Sequence, residues 1–152
     1  MFHKYGIGLE GGFVFGLDGD KPDVFENTLN FAREVNLESM IGFFYTPIPG
    51  TEVYQKLKSE GRLLTEDYSK YDFRHVVVKP KNMSADELHQ GVSWMTKEFY
   101  SGKDAAKRVI SSFTDLLAHP SKKRLYRAVA TTAINAAFRN RIRNLSVDGT
   151  FS

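Results

Sequence analysis

Gly12 and Gly16 stand four residues apart in the stretch GGFVFGLDGD, residues 11–20. The stretch reads as a buried strand running into an acidic turn. Glycine inside a strand packs nothing and loses the most backbone entropy on folding. Two purposes fit it there. It lets a neighbouring helix or strand come close, or it lets a flat ligand lie against the backbone. Ligands of α/β sheets and barrels bind at the carboxyl ends of the strands, where these glycines fall. Gly12, Gly16 and Gly19 miss the G-x-G-x-x-G spacing of a dinucleotide site, and no Walker motif occurs.

Three carboxylates follow, Asp18, Asp20 and Asp23. Such oxygen ligands suit a hard cation, and equally suit a helix start, where negative charge meets the positive end of the dipole. Further on, TEDYSKYDFRH brings together Tyr68, Tyr71, Asp72, Arg74 and His75. That segment could line a substrate entrance or form a loop packed by its own aromatics. No Ser/His/Asp set has supporting context. No residue of this chain is therefore assigned a catalytic or metal-ligating role. The chain has no cysteine. Disulfides, thiol catalysis and cysteine-held metal or iron–sulfur sites are excluded within it.

A strand is expected over residues 6–17, best at 12–17. Asp20 is the expected N-cap of the next helix, DVFENTLNFAREV, with Asn36 as its C′ residue. The apolar run SMIGFFYT, residues 39–46, is a second strand. Strand, helix and strand at this spacing form a βαβ crossover with two parallel strands. Thr51 caps EVYQKLKSE and Gly61 ends it. HVVVKP reads as a short strand stopped at Pro80. Ser84 and Glu87 make a capping box for a helix whose Leu88, Val92, Met95 and Phe99 share one face. Helices over about 103–118 and 121–144 complete the chain. The division is an α/β part over 1–80 and a helical part over 81–152.

At 152 residues, with 41% hydrophobic and 26% charged, the composition is that of one soluble domain, and a cytoplasmic setting is the default. No apolar run approaches the about 20 residues of a membrane helix, and no signal peptide is evident. Residues 1–60 carry 5 Lys and Arg against 9 Asp and Glu; residues 61–152 carry 16 against 9. Seven basic residues follow His119, with Arg139, Arg141 and Arg143 near the end, against Asp148 alone. The tail's small apolar residues suit helix packing. A membrane surface is the weaker fit, and no nucleic-acid partner is expected.

Four segments in order, GGFVFGLDGDKPDVFENTLNFA, YTPIPGTEVYQKLKSEGRLL, YDFRHVVVKPKNMSADEL and KEFYS, closely resemble the C-terminal part of radical S-adenosylmethionine (SAM) proteins. The branch is the one carrying an N-terminal cobalamin-binding domain. The resemblance spans residues 3–101. It implies a remnant of a partial (β/α)6 barrel, a βαβ unit followed by a mainly α-helical region. In the family, three cysteines in C-x-x-x-C-x-x-C hold a 4Fe–4S cluster that cleaves SAM. By the resemblance, Gly12, Val14 and Gly16 map onto a G-x-I-x-G pattern against the adenine of SAM, Val14 replacing Ile. Tyr45 and Thr46 fall at the barrel mouth, on the substrate side. The three-cysteine loop and the cobalamin signature D-x-H-x-x-G are both absent. The chain is then expected to be a fragment, inactive and binding no cofactor alone. SAM, the 4Fe–4S cluster and cobalamin belong to an intact parent that methylates or rearranges an unactivated carbon. Its partner would be the missing N-terminal part, with self-association through the exposed strand edges if monomeric. The alternative is a non-catalytic helical module docking a partner or acidic surface through the basic tail.

Overall fold

The structure, a computed structural model, describes residues 2–148, and side chains as far as residue 142. Arg143 and the residues after it lie outside the described side chains. The chain is α/β with helix predominating. A 3₁₀ turn, Phe2–Tyr5, leads to strand β1, Glu10–Phe15. The strand starts at Glu10 and not at residue 6. Gly6 sits at a left-handed φ of +72° and its N–H donates to His3 O, so the chain is still turning there. Strand β2, Ser39–Phe44, pairs with β1. Glu38 N–H donates to Leu9 O and Tyr45 N–H to Phe15 O, a register that advances along both strands together and makes the pair parallel.

Helix α1, Val24–Glu34, joins the two strands. Asp20 does not cap it. Asn27 N–H donates to Asp23 O, so the cap position falls at Asp23, three residues after Asp20. The other end matches the expectation. Asn36 adopts φ +55°, and the bonds from Leu37 N–H to Ala32 O and from Asn36 N–H to Arg33 O close a Schellman turn. Helix α2, Glu52–Ser59, is capped by the Thr51 side chain, which accepts from Tyr54 N–H at 3.3 Å. It ends at Gly61, φ +65°, in a second Schellman turn. HVVVKP does not become a strand. It makes a single antiparallel bridge, Leu63 to Val78, because only Arg62–Leu64 runs beside it. Val77 and Val78 are nonetheless buried, against Leu57.

Helix α3, Ala85–Phe99, opens on the expected capping box. Ser84 N–H donates to Glu87 at 2.7 Å and Glu87 N–H to Ser84 Oγ at 3.1 Å. These bonds hold the Glu87 carboxyl below its ordinary range. Helices α4, Gly102–Ala118, and α5, Lys122–Asp148, pack on one another.

Two compact units divide the chain. The first draws on Met1–Gly11, Phe31–Met40 and Thr96–Ser152. Its centre is Tyr100, whose hydroxyl accepts from Met40 N–H at 3.0 Å and donates to Met40 O at 3.1 Å. The ring stacks on Phe138 with centroids 4.4 Å apart. Arg108 lies 3.8 Å above Phe99 and donates to Asn135 Oδ1 and Phe99 O. The second unit draws on Gly12–Asn30 and Ile41–Met95. Phe15 packs on Phe25, with Leu29, Leu88, Val92 and Met95 buried as well. Gly91 lets α3 approach Phe25 closely: a Cβ there would stand 2.1 Å from the ring.

Candidate functional site

The carboxyl ends of β1 and β2 lie in the second unit. Burial alternates along β1, with Glu10, Gly12 and Val14 exposed and Phe15 buried. A Cβ built on Gly12 would meet only Phe43 Cε2, at 3.7 Å, an ordinary contact. Gly12, Val14 and Phe43 thus share an open face of the sheet. Gly16 differs. Its φ is +94°, and a Cβ would stand 2.8 Å from Leu88 Cδ2. The fold requires glycine at 16, for turning and for packing. It makes no such demand at 12.

The turn leaving β1 is held from several sides. Asp20 Oδ2 accepts from Gly16 N–H at 2.8 Å and Leu17 N–H at 3.0 Å, the use that replaces helix capping. Asn82 Nδ2 donates to the carbonyls of Asp18 and Asp20. Asp18 pairs with Arg62 at 2.8 Å and Lys81 at 2.6 Å. The hydrogen bonds from Arg62 and then Lys81 hold its carboxyl down to about 2. Arg62 is further fixed by Glu60 and by Lys79 O. Asp18 and Asp20 are therefore taken up by protein donors. Among the described residues, no group of three His, Asp or Glu side chains could hold a metal ion.

Tyr45 and Thr46 follow β2. Tyr45 is half-buried against the Leu57, Val77 and Val78 cluster. Thr46 is buried and its hydroxyl donates to Phe44 O at 3.0 Å. The loop after the 3₁₀ turn Tyr68–Lys70 comes to the same strand end. Phe44 N–H donates to Phe73 O, and the Phe73 ring meets Phe43 edge-on, 6.5 Å between centroids. Phe73 has φ +65°, an unfavourable conformation for an aromatic residue. Asp72 Oδ1 fastens this turn by accepting from Arg74 N–H, His75 N–H and His75 Nδ1. Burial works to raise the Asp72 carboxyl, but these bonds outweigh it and hold it below its ordinary range.

Of the sequence-derived residues, Gly12 and Val14 lie together on the open face. Gly16 lies in the turn beyond it, and Tyr45 and Thr46 sit at the exit of β2. Phe43 and Phe73 extend the open face, and neither was singled out from sequence. The i, i+3 spacing of Asp72 and His75 was a usable signal for the turn; the left-handed Phe73 had none. In the first unit a separate cleft of about 470 Å³ is lined by residues including Gly8, Glu38, Tyr126, Arg127 and Thr131. The Glu38 carboxylate there is already engaged by Leu9 N–H at 2.6 Å and by His3.

Residues 51–145 match the family model of a domain of unknown function, DUF4070. The chain belongs to the DUF4070 family. It is 31% identical over 107 residues to bacteriochlorophyllide d C-12(1)-methyltransferase of Chlorobaculum tepidum, covering 70% of this chain and 23% of that protein. It is 33% identical over 103 residues to the anaerobic magnesium-protoporphyrin IX monomethyl ester cyclase of Cereibacter sphaeroides, covering 68% and 16%. Bacteriochlorophyllide d C-8(2)-methyltransferase of C. tepidum is 29% identical over 107 residues, covering 70% and 24%. The chain thus spans less than a quarter of the length of these relatives. Together they bear out the resemblance to the C-terminal part of radical SAM proteins of the cobalamin-binding branch.

Proposed function

We propose that this chain is the C-terminal part of a radical SAM enzyme of the cobalamin-dependent type, contributing one wall of the SAM adenine site and part of the substrate side. The parent would transfer a methyl group to an unactivated carbon, or rearrange a carbon skeleton. The observation that carries the reading is Gly12: a glycine the fold does not need, in the middle of β1 near Val14, on an open face of the parallel strand pair. A Cβ at 12 would occupy surface that a flat purine would lie against. Gly16 holds the turn that ends this wall, and Asp18 with Arg62 and Lys81 keeps the turn in place. Tyr45 and Thr46 would border the substrate, as would Phe43 and Phe73, whose apolar rings suit a large apolar molecule.

When bound in the intact parent, SAM and a reduced 4Fe–4S cluster would supply the radical chemistry. This chain offers no thiolate for such a cluster, so the cluster belongs to residues outside it, and the chain alone is inactive. Its own part is to bind and orient: the backbone at Gly12 for the adenine, the aromatic pair for the substrate. Methyltransferases and a cyclase among the relatives support the reaction class. Photolabelling of the intact enzyme with 8-azido-SAM tests the site. Label competed by SAM is expected in the tryptic peptide that follows Lys4 and ends at Arg33, because the Lys21–Pro22 bond resists trypsin. Competed label found only elsewhere in the enzyme would overturn the assignment of the adenine wall.

A further inference from the structure

Helix α4 presents a solvent face unlike an ordinary one. Ile110, Phe113 and Leu117 are 62%, 41% and 78% exposed. Their i, i+3, i+7 spacing puts them on one stripe. Lys103 and Lys107 continue that stripe toward the helix start, both exposed. The opposite side of α4 carries the buried Ala105 and Ser112. Both acidic residues of α4 are spent in ion pairs: Asp104 with Arg33 at 2.7 Å, Asp115 with Arg124 at 3.0 Å and Arg127 at 3.1 Å. The outward stripe is left apolar and positive, with no carboxylate on it. Beyond the turn at His119–Ser121, α5 opens with exposed Lys122 and Lys123, then Leu125 and Tyr126, the last 82% exposed.

We propose that this face of α4 docks on an anionic lipid bilayer, lying in the interface plane. Large apolar side chains on a single stripe, with lysines beside them and no acidic residue among them, fit the boundary between acyl chains and anionic headgroups. The contact is peripheral, since among the described residues no helix is long and apolar enough to cross a membrane. Lys122, Lys123 and Tyr126 add cationic and amphipathic groups at the hairpin tip. Docking by this face does not depend on the adenine wall.

Flotation of the 152-residue chain with vesicles of phosphatidylcholine, with and without phosphatidylglycerol, tests the surface. Binding is expected only with phosphatidylglycerol, falling as salt rises from about 0.1 M to about 1 M and the screening length shrinks from about 10 Å to about 3 Å. The double variant Ile110→Ser/Leu117→Ser should bind about tenfold more weakly or worse, because its exposed stripe loses two large apolar groups. Lys103→Gln and Lys107→Gln should each cost about fivefold. None of these side chains is buried, so far-UV circular dichroism and the melting midpoint should hold. A Phe113→Trp reporter in a Trp94→Phe background should shift its emission to the blue on phosphatidylglycerol vesicles. Absence of binding, binding indifferent to Ile110→Ser/Leu117→Ser, or an unshifted reporter would each overturn the proposal. So would a concentration-dependent dimer that the double variant abolishes while the vesicles stay unbound, since a second copy would then cover the stripe.

Discussion

Alanine at position 16 and alanine at position 12 should have opposite consequences, although both remove a glycine from the same short stretch. At Gly16 the new methyl meets two obstacles. The backbone stands at φ +94°, where an L side chain costs about 1–2 kcal/mol. The Cβ also falls 2.8 Å from Leu88 Cδ2, and Leu88 is 1% exposed, so its methyl has little room to yield. Overpacking of this kind costs about 1–3 kcal/mol. Together Gly16→Ala should destabilise by about 2–5 kcal/mol, which for a chain of this length lowers the melting midpoint by roughly 5–20 °C. At Gly12 the nearest atom would be Phe43 Cε2 at 3.7 Å, and the φ is ordinary. Gly12→Ala should be neutral or gain up to about 1 kcal/mol, through the lower entropy of its unfolded chain. Urea unfolding read by circular dichroism separates the two, provided the m-values match. Equal losses at the two positions, or a Gly16→Ala protein as stable as the wild type, would refute the division of roles between them. In the intact enzyme, Gly12→Leu should then abolish the competed 8-azido-SAM label while leaving the melting midpoint nearly in place.

Tyr100→Phe leaves both Met40 N–H and Met40 O without their buried partner and should cost about 1–3 kcal/mol in a urea melt. Gly91→Ala gains helix propensity, yet puts a methyl 2.1–2.5 Å from three Phe25 ring atoms; thermal melts should give a net loss of about 1–3 kcal/mol or more. Acidification should weaken the fold through Asp18. Its carboxyl titrates at about 2 when folded against 3.8 ordinarily, so its stabilisation is present above pH 4 and is lost as pH falls from about 4 toward 2. Nearly half-exposed, the group contributes only about 0.5–1 kcal/mol after solvent screening, and Asp18→Asn should lower stability at pH 7 by that amount while flattening the acid limb.

Local signals carried most of the secondary structure. The Ser84–Glu87 box, the Thr51 cap, Asn36 and Gly61 each act through a few neighbouring residues, and each is found as read. Asp20 could not be read correctly, because its carboxylate serves the turn behind it and not the helix ahead. HVVVKP has strand composition, but a strand needs a partner, and the sequence does not reveal that only three residues run beside it. The tail helix is a similar case. Ala128 and Phe138 face inward, whereas Leu125, Tyr126 and Val129 are exposed, a split that depends on where α4 lies. At the candidate site, the glycines were legible as glycines, while the open face they border required the strand pairing that brings the Phe43 ring over Gly12.

The positions that point to function are those where the fold's own demands fail to account for the residue. Gly16, Gly91 and Asp18 are each explained by a turn, a close approach or an ion pair. Gly12 is not, and in an exposed strand position glycine is the poorer choice for stability. Phe73 is a second such position: its left-handed backbone is unfavourable for an aromatic side chain, yet three hydrogen bonds to Asp72 and one from Phe44 N–H keep it there. Its ring lies edge-on to Phe43, beside the face that carries Gly12 and Val14. Both features lie on one side of one strand pair, where the proposed SAM and substrate wall would need them. Phe73→Gly would relieve the backbone and delete the ring. A variant that kept its stability but lost substrate, with SAM labelling intact, would assign the ring to the substrate side of the wall.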